Sequence, residues 1–519
     1  MSHIEEILNQ IVRGRIKDKL SLQRLKKKVA TKFHLKELPS DSDILERAQV
    51  HHRDRILHIL RKKPSRTESG VAVVAVMTKP TKCPHGTCIY CPGGVEINPP
   101  QSYTGKEPAA MRGIQHNFDS YTQTISRIKQ LEEIGHSCDK IELIIMGGTF
   151  TAQLPDYQNE FVKGCLDAMN GTASKTLKEA QAMNETAKYR CIGMTMETRP
   201  DWCKEKQIDA VLDLGCTRVE LGVQNPDDQI YSMVKRGHTV QDVIEATQLL
   251  KDSLLKVNYH IMPGMPGSDF DKDIKMFKKI FESDSFKPDM LKIYPCLLVK
   301  PEFGQPELHK MFERKEWTPY ADDQAAELIA EMKRYIPRWV RVMRIQRDIP
   351  SPMIQEGVKA SNLRQLVQEK LKKKKIKCSC IRCREIKNER PDYVRLARED
   401  YTASGGKEIF LSIEGPAKDK LLGFLRLRQP GKPFRPEITD RTMGVRELHV
   451  YGPMVQIDKK PDKEAQHRGY GEQLLKEAER IAGEEFDAKK LAVISGIGAR
   501  AYYYRLGYKR DGAYVSKPL

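Results

Sequence analysis

VAVVAVMTKPTKCPHGTCIYCPGG, residues 71–94, sets an apolar, β-branched run shortly before three closely spaced cysteines, Cys83, Cys88 and Cys91. The run reads as a buried strand, since valine-rich stretches of this length fill the pleated interior of a sheet. The cysteines then fall on the loop that follows it. Three thiols are one short of a closed site, because structural zinc takes four protein ligands and an ordinary iron-sulfur cluster four thiolates. The C-x4-C-x2-C spacing fits three corners of a 4Fe-4S cube with one iron left open. It fits as well a zinc loop with a distant fourth ligand, or an electron-transfer cluster whose fourth cysteine lies elsewhere.

Downstream, five more apolar runs read as strands: IELIIMGG (141–148), YRCIGMTMET (189–198), TRVELGVQ (217–224), KVNYHIMPG (256–264) and DMLKIYPCLLV (289–299). Amphipathic stretches of helical length separate them, among them YTQTISRIKQLEEIG and TVQDVIEATQLLKDSLL. Strands alternating with helices predict a parallel α/β sheet of about six units, closing into a partial or full (β/α) barrel over residues 69–355. RWVRVMRIQRDIPSP (338–352) offers a further strand. In such a sheet the chemistry gathers at the C-terminal strand ends, which is where the first cysteine group falls.

Charge points to the partner. The chain carries 89 Lys+Arg against 70 Asp+Glu, a net +19, and residues 1–70 alone hold 17 basic against 9 acidic residues. A surplus of that kind favours a polyanion, nucleic acid first. Residues 1–68 read as a basic, helical RNA-binding region with helices over IEEILNQIV and ILERAQVHHRDRILHIL. Candidate phosphate contacts are Lys26, Lys27 and Lys28 there, with Lys82, Arg344 and Arg347 beyond. The N-terminus lacks the charge and apolar core of a signal peptide, and no apolar run reaches the length of a membrane span, so a cytoplasmic protein is expected.

The 12 cysteines do not form a disulfide framework. Six are solitary and read as small buried hydrophobes. Cys378, Cys380 and Cys383 form a second group, C-x-C-x2-C, inside the lysine-rich passage LVQEKLKKKKIKCSCIRCREIKNERP. Three thiolates so close can face one ion, and zinc in a linker spanning 356–391 is expected, with Glu385 a guess for the fourth ligand. From 392 to 519 the texture changes to antiparallel strands and helices, EIFLSIEG, LLGFLRLR and RELHVYG among them. Q-H-R-G-Y-G (466–471) then opens an amphipathic helix, placing backbone N–H groups where a pyrophosphate binds. With YYYRLGY following, this is the order of the GNAT acetyltransferase fold, an α+β acetyl-CoA domain.

Cluster loop, βα repeat, M-G-G-T-F (146–150) and M-E-T-R-P (196–200) together resemble a radical S-adenosylmethionine (SAM) enzyme, with one residue more between the first two cysteines than most members have. CPGG followed by QSYTGKEPAAMRG, and then RELHVYG, is similar to the Elongator catalytic-subunit family, which carboxymethylates the wobble uridine of tRNA. The resemblance runs from about residue 70 to 519. It implies a 4Fe-4S cluster on Cys83, Cys88 and Cys91, SAM contacts from Gly147, Gly148, Glu197 and Gln224, and zinc at the second cysteine group. It assigns acetyl-CoA to Lys140, to Glu447, Leu448, His449 and Val450, to Gly469, Tyr470 and Gly471, and to Tyr502 or Tyr503. The implied reaction activates the methyl group of acetyl-CoA by radical chemistry, adds it to C5 of the uridine in the anticodon stem-loop, and hydrolyses the thioester to leave 5-carboxymethyluridine. A reductant for the cluster is implied as well, and Elongator-type partner subunits or a homodimer are open. The alternative is a protein lysine N-acetyltransferase with a structural iron-sulfur cluster.

Overall fold

The computed structural model describes residues 2–48, 56–57, 59–61, 70–386, 393–415, 419–451 and 469–519. Seven parallel strands form the first sheet in chain order: β1 (Ala72–Met77), β2 (Lys140–Met146), β3 (Arg190–Thr198), β4 (Arg218–Gln224), β5 (Lys256–Ile261), β6 (Met290–Ile293) and β7 (Arg341–Ile345). Among the described residues β1 and β7 do not pair, so the barrel is half closed. Side chains of β2 alternate as a two-sided strand must: Ile141, Leu143 and Ile145 are buried in the core against the helices, while Ile144 and Met146 line a cavity on the other face.

All six expected strands are present, and β7 adds the one expected from 338–352. The expected strand 289–299 is interrupted. β6 stops at Ile293 ahead of Pro295, which has no N–H for the ladder, and Leu298–Val299 instead pairs antiparallel with Ile354–Glu356.

The second sheet comprises β8 (Arg395–Ala403), β9 (Gly406–Gly415), β10 (Lys420–Gln429), β11 (Thr442–Val450), β12 (Lys490–Val493), β13 (Lys509–Asp511) and β14 (Tyr514–Pro518), in the order β8-β9-β10-β11-β12-β14-β13. Only β11 and β12 are parallel. β8 was not anticipated: it is an edge strand whose outer positions carry charge, so no apolar alternation marks it. At the N-terminus, helices His3–Val12, Lys19–Lys32 and Asp41–Glu46 share a small core of Ile7, Leu22, Ile44 and their neighbours. The expected helix over 44–60 lies partly outside the described residues.

The second sheet docks beneath the N-terminal ends of the first sheet's strands, at the opposite end from the cysteine loop. Fit is close: a Cβ on Gly444 would lie 2.0 Å from Leu254 Cδ2, and one on Gly496 2.0 Å from the Ile192 carbonyl. Charge is buried with it. Arg446 donates to Asp289 (2.9 Å), Arg428 to Asp252 (2.9 Å) and Glu408 (3.0 Å), Lys251 to Glu408 (3.2 Å), and Arg426 to Glu447 (2.8 Å). Four cations thus meet four carboxylates. Moving either half would strand charges that are costly to bury unpaired, so the network specifies one docking of the two sheets.

Candidate active site

β1 delivers the first cysteine group to the C-terminal rim of the half-barrel, where a cavity of about 1300 Å³ opens. Cys83, Cys88 and Cys91 all line it. Each sulfur has polar company: Cys83 lies 3.7 Å from Thr149 Oγ1, Cys88 3.1 Å from His85 Nε2 and 3.6 Å from Arg236 Nη1, and Cys91 accepts from Gln101 Nε2 (3.3 Å) beside Ser102 Oγ (2.9 Å). Burial above all, with Cys88 nearby, pushes the Cys91 thiol up to about 11. Burial, then Arg199 and Arg236, hold His85 down to about 3, so its ring is neutral and accepts from Arg199 Nη1 at 3.0 Å.

Spacing separates the two cysteine groups. A tetrahedral ion with Zn–S bonds near 2.3 Å brings its sulfurs within about 3.8 Å of one another. Cys378, Cys380 and Cys383 have ligand atoms within 4.8 Å of one another; Cys83, Cys88 and Cys91 form no such group among the described residues. The wider first trio fits a cluster, in which each thiolate takes a different iron. The narrower second trio fits one ion. Glu385, the guessed fourth ligand, does not fit: its carboxylate is committed to Arg341 (2.8 Å) and Arg382 (3.3 Å). The near neighbour is Lys333, whose Nζ stands 3.7 Å from Cys383 Sγ and 4.0 Å from Cys380 Sγ.

Three of the four expected SAM residues, Gly148, Glu197 and Gln224, line the same cavity as the first trio. Gly147 ends β2 with φ +142°, and a Cβ there would lie 1.9 Å from Thr78 Oγ1, so only glycine lets the ends of β1 and β2 close up. Gly148 faces the cavity. Glu197, near the end of β3, is buried at the cavity wall and accepts from Tyr103 OH at 2.7 Å. Gln224 ends β4 in a left-handed conformation, φ +66°, and its Oε1 is buried at the cavity with no partner. A buried amide oxygen left open in this way is a place for a ligand donor.

The expected acetyl-CoA residues divide. Beyond Val445, β11 leaves its parallel neighbour β12, while Glu447–Val450 continue to pair with β10 on the other side. Val450 lies across from Gly471, where an added Cβ would be 3.7 Å from Val450 Cγ2 and 3.0 Å from Tyr502 OH. Gly469, φ +77°, caps the helix Tyr470–Arg480 with none of the described residues within 4 Å of a Cβ, which suits an anion-binding helix entry. Tyr503 is corrected: it is buried with its ring against Tyr502 and Tyr508, so it serves the core. The Glu447 side chain is also turned away, toward Arg426. Lys140 begins β2, at the strand end that faces the second sheet. Gln466, His467 and Arg468 lie outside the described residues.

Of the basic candidates, Lys26 is corrected as well. It is buried, ion-paired with Asp41, and belongs to the helical core. Lys27 and Lys28 are exposed. Lys82 is exposed beside Glu96 (3.3 Å), while Arg344 and Arg347 line the cavity, Arg344 paired with Asp348 and Arg347 donating to the Ser102 carbonyl at 2.8 Å. Sequence reasoning missed Tyr103, Arg199, Arg236, Glu220, His260 and Lys292, all cavity residues. Arg199 sits inside the M-E-T-R-P motif and Tyr103 inside QSYTGKEPAAMRG, both already singled out; the others carry no local signal.

Four family descriptions match the chain: ELP3 N-terminal domain over residues 1–68, Radical SAM superfamily over 77–280, Radical_SAM C-terminal domain over 288–373, and Acetyltransferase (GNAT) family over 378–508. Among curated proteins, a tRNA uridine(34) acetyltransferase of Methanocaldococcus infernus is 54% identical, covering 99% of this chain and 98% of the relative. Elongator complex protein 3 of Schizosaccharomyces pombe is 43% identical over 99% of this chain and 97% of its own. The solved structure of M. infernus Elp3 with an N-terminal deletion superposes with TM-score 0.77 at 52% identity, covering 87% of this chain and all of that one. No described helix is long and apolar enough to cross a membrane.

Proposed function

The chain belongs to the Elongator complex protein 3 family, and from that premise we propose that it is a cytoplasmic tRNA uridine(34) acetyltransferase of the radical SAM class, acting on C5 of the wobble uridine with acetyl-CoA as acyl donor. One observation carries the reading: a single half-barrel has three cavity-lining thiols at one end and, docked on its other end, a sheet whose strand β11 parts from its parallel neighbour beyond Val445. A lysine acetyltransferase has no use for the first feature, and the tRNA-directed names of the relatives favour neither that alternative nor a structural cluster.

Cys83, Cys88 and Cys91 would hold a 4Fe-4S cluster, with SAM on its open iron and a reductant supplied from outside. When bound, that pair supplies the radical that activates an otherwise unreactive methyl C–H. The protein's own share is orientation and exclusion of water. Gly148 would offer backbone to the amino end of SAM, with Gly147 beside it closing β2 onto Thr78; Glu197 has a carboxylate for ribose hydroxyls, and Gln224 offers its amide oxygen. Glu447–Val450, where β11 has parted from β12, suits the amide-bearing arm of acetyl-CoA, Gly469 to Gly471 its pyrophosphate, and Tyr502 the thioester sulfur. Arg344, Arg347, Lys27 and Lys28 are placed for phosphates of an anticodon stem-loop, whose unstacked bases enter a pocket at small cost. We assign one divalent ion, zinc by donor type, to Cys378, Cys380 and Cys383. Elongator-type partner subunits or a homodimer belong to the same reading.

Anaerobic reconstitution with iron, sulfide, dithionite, SAM, acetyl-CoA and tRNA tests it, with nucleosides read by mass spectrometry. The expected result is a C5-modified uridine at position 34 accompanied by 5′-deoxyadenosine, both lost without acetyl-CoA or SAM. Acetylated lysine with unmodified tRNA would overturn it.

A further inference from the structure

Glu220 of β4 is the register partner of Glu197 of β3, and both carboxylates face the half-barrel lumen with His260 of β5, their ligand atoms and that of His260 within 4.8 Å of one another. Two buried carboxylates side by side repel, and the protein answers with cations on Glu220, while Glu197 accepts from Tyr103 OH. Glu220, fully buried, accepts from Asn258 Nδ2 (3.0 Å), His260 Nε2 (2.8 Å) and the ammonium of Lys292, with Arg218 Nε at 3.8 Å. Burial alone would raise the Glu220 carboxyl, but Lys292, His260 and Arg218 outweigh it and hold the group ionised.

This hub fixes Lys292 at the wall of the cavity that holds the first cysteine trio. Lys292 and His260 keep about an eighth of their side chains open, 13% and 14%, and both line that cavity. An ammonium has three donors, and Glu220 uses one. The occupant is constrained by charge. A metal ion is disfavoured, because the ammonium already sits on Glu220. A phosphate is disfavoured, because two carboxylates flank one lysine. A neutral acceptor fits, and a carbonyl oxygen is the neutral acceptor that both proposed substrates carry next to the reacting carbon: the thioester beside the acetyl methyl, and O4 beside C5 of uracil.

We propose that Lys292 is a catalytic residue that donates a hydrogen bond to a substrate carbonyl oxygen in this cavity, with Glu220 and His260 as its positioning residues. The donor is preorganised by its buried partner Glu220, so charge developing on a carbonyl oxygen at this wall meets a fixed cation. The proposal rests on the wobble-uridine reading above.

Anaerobically reconstituted wild type, Lys292→Met and Lys292→Arg are compared for iron content, thermal midpoint, 5′-deoxyadenosine and modified uridine. Lys292→Met is expected to load its cluster, to cleave SAM within about threefold of wild type, and to make at least about 100-fold less modified uridine. Lys292→Arg, which keeps a cationic donor on Glu220, is expected to recover at least about tenfold of that loss. A raised KM for acetyl-CoA with unchanged tRNA affinity identifies the thioester as the carbonyl source; weakened tRNA binding with unchanged acetyl-CoA KM identifies uracil. If Lys292→Met does not load, Lys292→Gln, which retains a donor for Glu220, carries the same readings. Product from the loaded uncharged variant within about threefold of wild type overturns the proposal alone. A wild type that cleaves SAM and leaves tRNA unmodified overturns the wobble-uridine reading and this proposal with it.

Discussion

Two cysteine trios of nearly the same composition do opposite things in this molecule. Cys83, Cys88 and Cys91 spread around the mouth of a large cavity among hydroxyl, amide, imidazole and guanidinium groups. Cys378, Cys380 and Cys383 converge on one point under Lys333, in the connector that packs against both sheets. The first, open trio lies on a cavity with room for a substrate. The second, tighter trio has the spacing of a single ion and lies where the connector packs against both sheets. Open sites give up ligands for chemistry, and closed ones convert binding energy into stability.

The largest expected effect breaks the comparison at the open trio. Cys88→Ser should abolish iron uptake and lower modified uridine by more than about 1000-fold, with little change in thermal midpoint; iron analysis and nucleoside mass spectrometry check both. At the closed trio the pattern should invert. Cys380→Ser should retain the cluster and modify tRNA within about tenfold of wild type at 20 °C, while losing one equivalent of divalent ion and several degrees of thermal midpoint, on the order of 3 kcal/mol or more. Cys380→Ser protein as inactive as Cys88→Ser would erase the distinction.

A third prediction sharpens the contrast through pH. Asp273 accepts from the Gly264 amide (2.7 Å), Ser268 (2.7 Å) and Tyr320 (2.9 Å), and so holds the loop after β5 beside the core under the open trio. Burial pushes its carboxyl up to about 6, from an ordinary 3.8. A raised folded value means that the folded state binds the proton more tightly. The associated stability is therefore complete below pH 3.8 and is lost as pH rises through 6, amounting to about 3 kcal/mol. Asp273→Asn should flatten that fall in urea midpoints between pH 4 and 6.5; an unchanged slope would refute the assignment. The smallest effect lies at the cavity rim. Arg344→Ala should weaken tRNA binding about three- to tenfold and reduce the salt slope by about one, in filter binding across a salt series.

How far the sequence can be read depends on whether the feature is local. The β1 run, the two cysteine spacings and the glycine pair at 147–148 are each contiguous, and each lies where the strand-to-loop reading puts it. β8 escaped because charged outer positions hide its alternation. Lys26 and Tyr503 look like their neighbours in composition, and only packing separates them: Lys26 is turned inward to Asp41 while Lys27 and Lys28 face solvent, and Tyr503 is in the core while Tyr502 faces Gly471. Glu220, His260 and Lys292 come from three different strands, so no window of sequence contains them.

By itself the sequence determined a parallel βα sheet with a thiolate trio after its first strand, a second trio in the connector, and an acetyltransferase-like second sheet, because periodicity and ligand spacing are properties of neighbours along the chain. Only the tertiary structure decided that the second sheet docks beneath the half-barrel through three cations, Arg446, Arg428 and Lys251, and three buried carboxylates, Asp289, Asp252 and Glu408. It also decided which basic residues stay free and that Lys292 points at the cavity from Glu220. The physical reason is that burying charge is tolerable only with a partner in place, and those partners come from strands far apart in the chain.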